Sequence, residues 1–80
     1  MSDKIDKTVN ALNSASSSTE LAKAIIDAFA LLDKSFEDRV KVYPPVPPSD
    51  EENSMSKAAY AAYERLIEAV GGEEAEKLTS

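Results

Sequence analysis

Cysteine, histidine and tryptophan are absent from the chain, and glycine occurs only twice, as the adjacent Gly71 and Gly72. Without cysteine and histidine there is no disulfide staple, no thiolate nucleophile, no imidazole to move protons and no usual zinc ligand. Without scattered glycines there is no loop of the kind that cradles a phosphate. These gaps argue against an enzyme, and no catalytic, cofactor-binding or metal-binding residue is expected. Positive charge is scarce as well: nine basic residues stand against fifteen acidic ones, a net charge of -6. Such a field repels phosphate backbones, so direct nucleic-acid binding is not expected. Long apolar runs are also missing. The stretch "LAKAIIDAFALL", Leu21 to Leu32, is broken by Lys23 and Asp27 and falls well short of the roughly 20 residues of a membrane span. The opening "MSDKIDKTVN" has no apolar segment of a secretory leader. The expectation is a cytoplasmic protein that does not enter the membrane.

What is present is helical patterning with clear punctuation. Ile5, Val9 and Leu12 recur at spacings of four and three, a narrow apolar stripe that Ser2 can cap and that should dock on something larger. The run "NSASSS", Asn13 to Ser18, ends it, because these side chains compete for backbone hydrogen bonds. Ser17 with Glu20 forms a capping box that starts a long helix. On it Leu21, Ala24, Ile25, Ala28, Phe29, Leu32 and Phe36 share one face. Ile26 and Leu31 widen that face on opposite sides to roughly 220° of arc, where an ordinary surface helix needs little more than 100°. One neighbouring helix cannot cover so much. Lys23 with Asp27 and Lys34 with Asp38 are spaced to pair weakly along the narrow charged strip.

Four prolines in five positions follow, in "YPPVPP". Pro44 ends the helix because it lacks an amide proton and disfavours helical geometry at Tyr43. Lys41, Pro44 and Pro47 match the spacing of a polyproline ligand. Such spacings arise easily by chance, and Lys41 belongs to the helix. The connector reading is preferred: a semi-rigid strap packing Tyr43 and Val46 against the helix ends. Ser49 with Glu52 forms a second capping box, and Asp50, Glu51 and Glu52 suit the positive end of a helix dipole. That is cause enough for the acidic cluster, which lacks calcium-loop spacing. In the helix that follows, Met55, Ala59, Ala62, Leu66 and Val70 form the main stripe, flanked by Tyr60, Tyr63 and Ile67 on one side and Ala58 and Ala69 on the other. Gly71 and Gly72 close it, leaving "EEAEKLTS" as a short, polar, frayed tail.

The predicted fold is all-α: an antiparallel hairpin of two long helices joined by a Pro-rich connector, plus a short N-terminal helix. One small domain spans 1–80, divided into a short helix and Ser-rich link (1–16), a long helix (17–42), the connector (43–49), a second long helix (50–72) and a polar tail (73–80). Helix cores are expected near 3–12, 19–42 and 51–70. A chain this short buries only about 60% of its unfolded surface, so self-association, as a dimer, is expected to complete the core. The interaction residues proposed from the pattern are Ile26, Leu31, Tyr43, Tyr60, Tyr63 and Ile67. Functionally this describes a small acidic protein-interaction module, a regulator or scaffold. Two alternatives fit the same composition. One is an acidic inhibitor occupying the nucleic-acid-binding surface of a target enzyme, as phage-type counter-defence proteins can do. The other is a polymerising structural subunit. Charge bears on the first of these: residues 1–41 carry seven acids and six bases, net -1, and residues 42–80 eight acids and three bases, net -5.

Overall fold

The computed structural model describes residues 3–80, and the Ser2 cap lies outside them. Four helices and no strand occur among the described residues: α1 (Asp3–Ser14), α2 (Ser18–Val40), α3 (Asp50–Val70) and α4 (Gly72–Leu78). The two long helices pack on each other. Arg39 meets Glu52 and Phe29 meets Tyr60, so α2 and α3 run antiparallel.

The helix starts follow the serine caps, with a difference in how the boxes close. Ser17 Oγ accepts the Glu20 amide at 3.2 Å, and Ser49 Oγ accepts the Glu52 amide at 3.2 Å. The return bonds go elsewhere. Glu20 Oε2 accepts from the amide and hydroxyl of Ser16, one residue further back, at 3.0 and 2.9 Å. Glu52 turns instead to Arg39 on α2. The Ser16 amide, and then its hydroxyl, hold the Glu20 carboxyl below its ordinary pKa. A depressed folded-state pKa contributes stability that is present above the unfolded value, about 4.3, and is lost as pH falls through the folded one. Glu20→Gln should therefore lower the melting temperature at neutral pH, and the gap to the parent should close as pH drops below about 4. Thermal melts across that range check it; a gap that stays constant would mean the ionised carboxylate contributes nothing.

Helix α1 runs two residues further than its apolar stripe because Ser14 stays helical, its hydroxyl bonding back to the Asn10 carbonyl at 2.6 Å. Thr8 does the same to Lys4, at 2.8 Å. The docking expected of α1 is intramolecular: it lies against both α2 and α3. Arg65, on α3, donates from Nη2 to the Leu12 carbonyl at 2.8 Å, satisfying one of the carbonyls that a helix C-terminus leaves open. The expected i,i+4 ion pairs on α2 do not form; Asp38 lies 3.9 Å from Lys41 instead.

The C-terminal segment departs from the sequence reading. It is not frayed but forms α4, with Ala75 fully buried. Only the first of the two glycines takes the left-handed backbone, Gly71 at φ 89°, and its amide bonds to the Ile67 carbonyl at 2.7 Å. That turn redirects the chain, so that Ala75 and Leu78 reach the core from a second direction. α4 meets α2 and α3 but not α1.

Leu12, Ile25, Met55 and Leu66 are the large, fully buried side chains. Leu21 and alanines 22, 24, 28, 59, 62 and 75 fill the rest of the core, and the alanines let the helix axes approach closely. The body has principal extents of 42 × 23 × 14 Å. Its thinnest dimension is little more than one helix diameter, so the hairpin is not enclosed on all sides.

Candidate interaction surface

At 100° per residue, Ala24 and Leu31 fall on one edge of the buried face of α2, and Phe29, Phe36, Val40 and Ile26 on the other. On α3 the same construction sets Ala58 and Arg65 against Tyr63, Ile67 and Tyr60. The α1 helix occupies the first side. There Leu31 is half-buried against the core and lines, with Lys4, Lys7 and Thr8, a recess between α1 and α2. The second side is open except at its Ala22 end, where α4 lies against α2 and α3. Ile26 is 39% exposed, Ile67 40%, Phe36 57% and Tyr60 63%. Tyr63 is half-buried beside them and packs on the core.

The centre of the open flank is an aromatic pair. Phe29 and Tyr60 stand edge to face, with ring centroids 5.7 Å apart and planes at 65°, bridging the two helices. The spacing that puts Ile26 one turn before Phe29, and Ile67 two turns after Tyr60, therefore makes one apolar strip across both helices. Of the six residues selected from the pattern, Ile26, Tyr60, Tyr63 and Ile67 share this flank. Leu31 lies on the side that α1 covers.

Tyr43 belongs to neither side. It does not pack against the helix ends as expected of the strap, but stands 97% exposed on the connector. The preceding helix stops at Val40, and the Tyr43–Pro44 peptide bond is cis. The connector is tied down at Val46 instead, whose amide donates to the Arg39 carbonyl at 3.2 Å. Its side chain remains half exposed.

Phe36 and Val40 are flank residues that the pattern does not single out, since periodicity sets Phe36 on the core face. In the antiparallel register, the α3 residues level with Phe36 are those around Asn53, the polar first turns of that helix, and they offer it no apolar cover. The Arg39 guanidinium lies 5.7 Å from the centre of the Phe36 ring. A signal was available in "SDEENS", which has no apolar residue to set against the last turns of α2.

Among the described residues no three His, Cys, Asp or Glu side chains gather as a metal ion would require. No helix among them is long and apolar enough to cross a membrane. Comparison with protein-family models, curated proteins and solved structures gives no match.

Proposed function

We propose that the chain is a non-enzymatic protein-interaction module of the cytoplasm, a regulator or scaffold that engages a larger protein through the α2/α3 flank opposite α1. The observation that carries this reading is the exposure of Ile26, Phe36, Tyr60 and Ile67 on one side of the hairpin. Isolated apolar side chains are ordinary on a surface, but a joined strip with aromatic residues at its centre is the composition of an interface core. Self-association of the same flank into a dimer is the second reading, since a copy would cover the same side chains.

The test is capture of partners from the protein's own cell with a tagged parent and a tagged Ile26→Asp/Tyr60→Lys variant whose circular dichroism and melting are first shown to match. Each substitution sets a charge in the strip, so proteins retained by the parent should be lost by the variant. Identical retention by both would remove the flank from the function. A basic nucleic-acid-handling enzyme among flank-dependent partners would favour the inhibitor form of this reading, and recovery of the chain alone would favour assembly.

A further inference from the structure

Two packed antiparallel helices leave a groove on each side of their contact, and here one groove is already filled by a helix. Ile5, Val9 and Leu12 of α1 pack on the core between α2 and α3, and Arg65 receives the end of α1. The hairpin is thus built to hold a helix laid along it. The second groove has a comparable apolar floor, with Phe29 and Tyr60 at its middle. From Ile26 to Val40 it runs about 20 Å, the length of roughly four helical turns.

Resting on the interaction-module reading, we infer that the second groove takes a basic amphipathic helix of a partner protein, laid along α2 and α3 opposite α1 and beyond the end that α4 covers. Charge selects this occupant. At 100° per residue Asp33 falls between Ile26 and Val40 on α2, with Glu37 just beyond, and Glu64 follows Tyr60 on the outer edge of α3. All three are exposed, and none is engaged in an ion pair among the described residues. Lys57 shares the α3 edge. An apolar floor with carboxylates along both margins complements a helix whose apolar stripe, repeating at three and four residues, is bordered by lysine or arginine. A second copy of this chain, itself at net -6, would bring carboxylate margins against carboxylate margins.

The probes are two synthetic peptides of about 18 residues with the same leucine stripe, one flanked by lysine and the other by glutamate. A single tryptophan in each reports binding by fluorescence, since the protein has none. The lysine peptide should bind saturably at one per chain, at least about ten-fold tighter than its glutamate twin, and weaken about ten-fold or more as salt rises from about 0.1 to about 1 M. Asp33→Lys/Glu64→Lys should weaken it about ten-fold or more. Asp3→Lys/Asp6→Lys, the same change of net charge on α1 across the hairpin from the groove, should weaken it less than about three-fold. Equal loss in both pairs would mean general attraction to an acidic protein and would overturn the proposal. So would equal binding of the two peptides, or no binding. A dimer in sedimentation equilibrium that Ile26→Asp abolishes would assign the groove to a second copy. The interaction-module reading stands or falls separately, on capture of native partners by parent and variant.

Discussion

Replacing Leu66 with alanine is expected to cost about 2–5 kcal/mol and to lower the melting temperature by roughly 10–30 °C, the largest stability effect of any conservative truncation in the molecule. Leu66 is fully buried and is one of four large, fully buried side chains that share the core with Leu21 and six small alanines. An alanine-rich seam packs well but contributes little apolar area per residue, so each large side chain carries a disproportionate share of the hydrophobic stabilisation. Close helix approach also leaves few flexible groups able to collapse into the vacated volume, which places the cost toward the upper end of the range. Domains of this size hold roughly 4–12 kcal/mol in total, so the variant should be partly unfolded near body temperature. Urea unfolding followed by circular dichroism gives the number. A loss below about 1 kcal/mol would mean that the core around Leu66 is not close-packed.

The parts of this fold that were legible in the sequence are those fixed by local chemistry. Ser17, Ser49, Pro44 and Gly71 each act through their own backbone or through a partner three or four residues away, and the helix ends they predict fall within two residues of those observed. The wide apolar arc of α2 was legible too, and it resolves into a side covered by α1 and a side that α4 covers only at one end. What was missed depends on relations across the chain. Glu52 reads as a capping-box acid until the antiparallel register brings Arg39 beside it. Phe36 reads as core until its partner on α3 proves to be a polar first turn. "EEAEKLTS" reads as a tail because a single buried alanine, Ala75, makes no periodic stripe; only the direction set by Gly71 gives it something to pack on. The same limit applies to the interaction surface. Periodicity selected Ile26, Tyr60 and Ile67 by residue type and angle, while the exclusion of Leu31 required knowing where α1 docks.

Arg39 joins three elements, and its removal should loosen the connector end of the hairpin more than any surface substitution there. Its Nε faces Glu52 Oε2 at 3.2 Å across the α2/α3 contact, and the two side chains are only 21% and 13% exposed. Both atoms are shielded from solvent and neither has a hydrogen-bond partner, so within the protein each relies on the charge of the other. Nη1 reaches toward the Val46 carbonyl at 3.5 Å, too long to contribute much, whereas the backbone bond from the Val46 amide to the Arg39 carbonyl survives any side-chain change. The ion pair is therefore the contact at stake. Breaking a fully buried pair by removing one partner costs about 3–5 kcal/mol, chiefly because a charge is left stranded; partial exposure here reduces this to about 1–3 kcal/mol. Arg39→Met and Glu52→Gln should each fall in that range. The double variant should cost less than their sum, with a coupling of about 1 kcal/mol or more, since it strands no charge. A double-mutant cycle by urea unfolding measures this directly. Strict additivity would show that the carboxylate and guanidinium are each hydrated independently, and the anchoring of α2 to the start of α3 would then rest on the Ser49 cap and the apolar contacts alone.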